Sequence, residues 1–166
     1  KIVTLIRDKI VQDETYARSA VVKEGGSKIG YIFLPEFYAD FDTPNGPRSF
    51  VDVAKEVTKL KEEKVDGIVI DLRNNGGGSL YDVVQMAGLF IDEGPIVQVK
   101  DREGRPSILR DKDKNVLYDG PLAVMVNEFS ASASEIFAAA IQDYGRGVVI
   151  GSTTTYGKGT VQRNLG

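Results

Sequence analysis

The 166-residue sequence predicts an α/β fold in which strands alternate with helices, and three observations carry that prediction. Short, dominantly apolar runs at residues 67–72, 122–126 and 148–150 have the composition of strands buried on both faces. Segments of helical period lie between them, near 80–91 and 133–142. Each run ends in turn-forming residues: Asn74, Asn75, Gly76, Gly77 and Gly78 after the first, Asn127 and Ser130 after the second, Gly151 and Ser152 after the third. Strand–helix–strand–helix–strand at this spacing argues for right-handed crossovers.

Taken in order, residues 3–6 and 9–11 read as short strands around the polar Arg7 and Asp8. Residues 20–22 and 29–34 are two more, divided by the turn signal Glu24, Gly25, Gly26, Ser27. A loop rich in Pro35, Pro44, Asn45, Gly46 and Pro47 follows. From Ser49 the period turns helical: Phe50, Val53, Ala54, Val57 and Leu60 form one apolar stripe, and Lys55, Glu56, Lys59, Lys61, Glu62 and Glu63 cover a solvated face. The helix at 80–91 is apolar on most sides through Val83, Val84, Met86, Ala87, Leu89 and Phe90. Residues 95–100 read as a strand, 101–119 as a polar excursion with hairpin character, and 160–162 as a last strand. There is no internal repeat and no low-complexity segment.

Composition narrows the chemistry by elimination. The chain has no His and no Cys, so a Ser–His–Asp triad, a Cys nucleophile and a His/Cys zinc site are all excluded. A nucleophilic serine here would need Lys or a carboxylate as its base. With 21 basic and 24 acidic residues the net charge is −3, which supplies no basic footprint for nucleic acid or anionic membrane. An apolar fraction of 42% and 27% charged residues fit one domain with an ordinary core. No apolar run approaches the roughly 20 residues that span a bilayer. The absence of cysteine leaves the redox compartment open. The sequence starts at Lys1, Ile2, Val3 without an initiator Met and reads as a piece of a larger protein.

In open α/β layers, loops at the carboxyl ends of the strands share one edge, where ligands bind. Three such loops, 74–78, 127–133 and 152–159, would bring together a glycine-rich backbone, a serine at a helix N-terminus and a lone lysine. The glycines match neither a G-x-G-x-x-G nor a Walker A spacing. They would present backbone N–H groups to a developing oxyanion, or simply make a tight turn. Ser132 and Glu135 have the S-x-x-E spacing of a capping box, so Ser132 reads equally as an N-cap and as a nucleophile at the positive end of a helix. Ser130 and Ser134 compete with it. Lys158, between Gly157 and Gly159, is either a surface lysine or a desolvated base whose neutral amine accepts a serine proton. Gln162, two side-chain alternations further along a strand, could orient that amine or lie exposed on an edge. Asp143 falls about 16 Å along the helix from Ser132, too far for contact, and is expected to pair with Arg146.

Together these stretches resemble the C-terminal-processing (tail-specific) serine proteases. The resemblance rests on Asp71, Leu72, Arg73, Asn74, Asn75, Gly76, Gly77, Gly78, then Phe129, Ser130, Ala131, Ser132, Ala133, Ser134, Glu135, Ile136, then Gly157, Lys158, Gly159, Thr160, Val161, Gln162. It is supported by residues 88–91 and 94–97 and runs from about Ile29 to the C-terminus. It implies a crotonase-like (ClpP/crotonase) β/α fold with a short N-terminal β segment, and a Ser–Lys dyad. Carried over residue by residue, Ser132 is the nucleophile, Lys158 the general base and Gln162 the support of the lysine. Ala133 and one of Gly77 or Gly78 form the oxyanion hole, and Asp143 matches an acidic position associated with activity. Residues 152–156 make a loop one residue longer than is usual in the family, without its common Glu after the glycine.

The resemblance also implies a division at residues 1–12, the trailing edge of a PDZ domain whose remainder is missing, and 13–166, the protease core. The expected partner is a polypeptide, unfolded or tagged, bound as an extended strand and cut near its C-terminus, in a periplasmic or other extracytoplasmic space. No cofactor or metal is implied. Two rivals share the layout: a crotonase-type acyl-CoA enzyme with a carboxylate base, and a non-catalytic fragment of a degenerate protease.

Overall fold

The structure, a computed structural model, describes residues 15–162. The strands expected at 3–6 and 9–11, and with them residues 1–12 as the edge of another domain, lie outside the described residues.

The central sheet has five strands in the order β1-β2-β3-β6-β7. Strand β1 (Arg18–Glu24) runs antiparallel to β2 (Ser27–Phe33) through the Gly25, Gly26 turn. Strands β2, β3 (Gly67–Asp71), β6 (Leu122–Val126) and β7 (Val148–Gly151) are mutually parallel neighbours. Each parallel step is made through a helix, because parallel strands need a long crossover. Helix α1 (Ser49–Glu62) links β2 to β3, α2 (Leu80–Ala87) lies between β3 and β6, and α3 (Ala133–Asp143) links β6 to β7.

The expected helical stripe of α1 is its buried face: Val53, Val57 and Leu60 are in the core, with Phe50 packed against it. Leu60 comes down on Gly30 of β2, where an added Cβ would sit 2.8 Å from its Cδ1, so a side chain there would have to displace Leu60 from its seat on the sheet. The central strands are buried as their composition requires, with Ile68, Ile70, Val124 and Val126 all in the core. Phe137 of α3 closes the middle, with ring centroids 6.0 Å from Phe90 and 6.4 Å from Phe37.

Four expectations are corrected. Strand β7, expected to be buried on both faces, is the outer strand of the sheet and leaves Val148 and Ile150 exposed. Helix α2 ends at Ala87 rather than near 91; Gly88 caps it, and Phe90 and Ile91 reach the core from turns instead. The hairpin expected within 101–119 is instead made by β4 (Gly94–Lys100) with β5 (Pro106–Asp111), a separate antiparallel ribbon turning at Gly104. Residues 160–162 form no strand. The ribbon was hard to delimit because its second strand, polar and largely exposed, lacks a continuous apolar face.

Candidate active site

Because β3, β6 and β7 are parallel and adjacent, their carboxyl ends lie side by side, with Asp71 paired to Met125 and Val126 to Gly151. The loops that leave them are stitched together. Ser130 Oγ donates to the Leu72 carbonyl (2.7 Å), and the Ala131 N–H donates to the Asn75 carbonyl (3.0 Å). Asn74 and Asn127 exchange two bonds of 2.9 Å, and the Tyr156 N–H donates to the Ser130 carbonyl (3.0 Å). At the end of β3, Asp71 accepts from Arg73 and from the Tyr31 hydroxyl. Burial pushes the Asp71 carboxyl up, but those hydrogen bonds outweigh it and hold the group below the usual carboxylate range.

The three serines separate clearly. Ser130 is fully buried, its Oγ accepting from the Asn127 N–H while donating to Leu72. Ser134 is fully buried and donates to the Asn75 carbonyl (2.9 Å). Both hydroxyls are committed to joining loops. Ser132 is only half-buried and sits at the N-cap of α3 with φ 55° and ψ −114°. An N-cap normally lies in the extended region, and a non-glycine residue held here stores strain that the surrounding bonds must sustain.

The glycine loop is pressed against that serine. A Cβ on Gly77 would lie 2.7 Å from Ser132 Cβ and 3.1 Å from Ala133 N, and Gly77 has φ +106°. A Cβ on Gly78 (φ +137°) would collide with the Phe37 carbonyl. Phe37 pairs with Gly78 in a one-residue parallel bridge, donating to the Gly77 carbonyl (2.8 Å) and accepting from the Ser79 N–H (2.7 Å). That pattern leaves the N–H of Gly78 pointing away from Phe37. The Gly77 N–H is taken by Asn75 Oδ1 (2.9 Å). Among the described residues, the N–H groups of Gly78 and Ala133 have no acceptor. Of the two glycines the sequence left open, Gly78 therefore has the donor to offer.

Glu135 does more than the S-x-x-E spacing revealed. Its carboxylate accepts from the N–H of Ser132 (2.8 Å), and also from the Thr155 hydroxyl (2.7 Å), the Gly157 N–H (2.5 Å) and the Lys158 N–H (2.9 Å). One oxygen thus ties the backbone of Ser132 to that of Lys158. Burial pushes the Glu135 carboxyl up, but the bonds from Thr155, Gly157, Ser132 and Lys158 together hold it below the usual range. Spacing could identify the cap, but the partners in 155–158 are distant in sequence and carried no signal.

The remaining expected residues fall differently. Lys158 has its backbone in the cluster, yet its side chain is exposed, so the desolvated amine is not built from the described residues. Gln162 is exposed and on no strand, which removes the alternation that was to place it beside Lys158. Asp143 is exposed at the far end of α3, and Arg146 donates instead to the carbonyls of Phe90 (2.7 Å) and Tyr118 (2.8 Å). No three acidic side chains gather as a metal site among the described residues. A groove of about 770 Å³ lined by Phe41, Pro44, Arg48 and Lys55 includes none of the three loops.

Comparison with known proteins bears on this arrangement. Residues 28–165 match the description Peptidase family S41. The chain is 44% identical over 99% of its length to a tail-specific protease of Haemophilus influenzae, covering 22% of that protein. It is 34% identical to the chloroplastic carboxyl-terminal-processing peptidase 2 of Arabidopsis thaliana, over 98% of this chain and 30% of that one. Among solved structures, a photosystem II D1 C-terminal processing protease superposes with a TM-score of 0.75 at 30% identity, covering 89% of this chain and 38% of that chain. The chain thus spans about a fifth to a third of the length of these relatives.

Proposed function

The chain belongs to peptidase family S41, and on that premise we propose that it carries the reacting centre of a serine endopeptidase working through a Ser132–Lys158 dyad in a crotonase-like arrangement of layers. Ser132 Oγ attacks the scissile carbonyl as the Lys158 amine takes its proton. The N–H groups of Gly78 and Ala133 hold the oxyanion, with Gly77 closing the backbone onto Ser132. Lys158 then returns the proton to the leaving amine.

The observation that carries this reading is the strained N-cap Ser132, the half-buried serine between two buried and hydrogen-bonded ones, pressed against the Gly77 backbone beside the Gly78 and Ala133 N–H groups that have no acceptor among the described residues. The exposed Lys158 adds a requirement: the substrate peptide itself must displace water from the amine, since burial is what favours its neutral form. Gln162 and Asp143 enter only through the resemblance; neither hydrogen bonds to the three loops. The substrate class is a polypeptide taken as an added strand and cut near its C-terminus, in an extracytoplasmic compartment and with a PDZ domain of the same chain. No described helix is long and apolar enough to cross a membrane.

The test is turnover of a peptide by the full-length protein. Ser132→Ala and Lys158→Ala should each abolish it; turnover retained by Lys158→Ala rules out the dyad. The exposure of Lys158 favours one rival, a non-catalytic binding domain. Failure of an active-site serine probe to label Ser132 in the full-length protein would favour that rival.

A further inference from the structure

Both limbs of the oxyanion site are held by one residue that lines neither. Asn75 is fully buried. Its Oδ1 accepts the Gly77 N–H (2.9 Å) and its Nδ2 donates to the Leu34 carbonyl (2.9 Å). Its own carbonyl accepts from the Ala131 N–H (3.0 Å) and from Ser134 Oγ (2.9 Å), and its N–H donates to the Leu72 carbonyl (3.1 Å). Burying an amide is unfavourable unless its hydrogen bonds are made, and here they go to the backbone of the glycine loop and of the chain leaving β2. The Leu34 bond anchors the side chain to the chain leaving β2. From that anchor, Oδ1 turns the Gly77 N–H inward, and the Phe37 bridge then aims the next N–H, that of Gly78, away from Phe37. On the other side, the Asn75 carbonyl holds Ala131 and Ser134, the residues that flank Ser132 and Ala133.

We propose that Asn75 is a positioning residue for oxyanion stabilisation, setting the separation of the Gly78 and Ala133 N–H groups without touching the substrate. The proposal rests on the reading of Ser132 as nucleophile. A residue with this role affects the tetrahedral state and leaves ground-state binding alone.

The experiment compares Asn75→Ala and Asn75→Asp with the parent in the full-length protein. It measures kcat and KM on a peptide, affinity for a peptide boronate, and affinity for the same peptide ending in a carboxylate. The expected result is a fall in kcat of about 10²–10³-fold, as for loss of an oxyanion donor, matched by the boronate and absent from the carboxylate peptide. Parent-like kcat in a folded variant, or equal losses for both peptides, overturns the role of Asn75 and leaves the nucleophile untouched. A boronate adduct that still forms in Ser132→Ala overturns the nucleophile and this inference with it. Should both Asn75 variants fail to fold by thermal melt, Ser134→Ala decides. Losing one bond to the Asn75 carbonyl should lower kcat roughly three- to tenfold at constant KM, and an unchanged kcat overturns the proposal.

Discussion

The two halves of the site are built in opposite ways. The serine half, at the ends of β3 and β6, rests on fully buried Ser130, Ser134 and Asn75, and its backbone strain is held by bonds closed to water. The lysine half, residues 152–159, is almost wholly exposed and is fastened chiefly through a single carboxylate, that of Glu135. The difference separates what must be ready before substrate arrives from what can be completed by it. Oxyanion donors act by being fixed in advance. A base needs only to be close and dry at the moment of transfer.

The largest expected effect tests the rigid half. Gly77→Ala puts a methyl 2.7 Å from Ser132 Cβ, and peptide turnover should fall by about 10²-fold or more through displacement of the nucleophile. A folded Gly77→Ala enzyme with parent turnover would show that the two loops are not in rigid register.

Ser130→Ala comes next and should act on stability. It strips a donor from the carbonyl of buried Leu72 and an acceptor from the N–H of half-buried Asn127, for a loss of about 1–3 kcal/mol in denaturant unfolding. Labelling of Ser132 by a serine probe should persist under native conditions; its disappearance in folded protein would move the nucleophile to Ser130.

The lysine half should answer to acid. Glu135 is held below its unfolded value, so its stabilisation is complete above the ordinary carboxylate range and is lost as pH falls through the folded value. Protection of the Gly157 and Lys158 amides, measured against the intrinsic exchange rate at each pH, should therefore be high near neutrality and fall in acid before that of the core amides of β3 and β6 does. In Glu135→Gln the low protection should be present at every pH. Protection that does not change with pH would mean that something other than the carboxylate holds the loop.

The smallest effect concerns water around Lys158. If substrate dries the amine, a bound peptide ending in a carboxylate should slow modification of Lys158 by an amine-directed reagent in the full-length protein. Modification at the same rate with and without peptide would show that the substrate does not cover the amine.

Much of this molecule was legible in the residues alone. The α/β alternation, the position of β7, the buried strands β3 and β6 and the apolar face of α1 follow from periodicities that each segment carries within itself, whereas the exposure of β7 follows from its place at the sheet's edge. The absence of His and Cys from these 166 residues meant that a base drawn from them for a serine nucleophile would be a lysine or a carboxylate. Other features belonged to the tertiary structure, because they depend on partners far apart in the chain. Ser130 and Ser134 are buried while Ser132 is not; Asn75 takes the Gly77 N–H and leaves that of Gly78 without an acceptor; and Glu135 reaches across to Thr155, Gly157 and Lys158. A local pattern records which face is apolar, but a hydrogen bond spanning twenty or more residues exists only once the loops have been brought to one edge of the sheet, and that is where this site was decided.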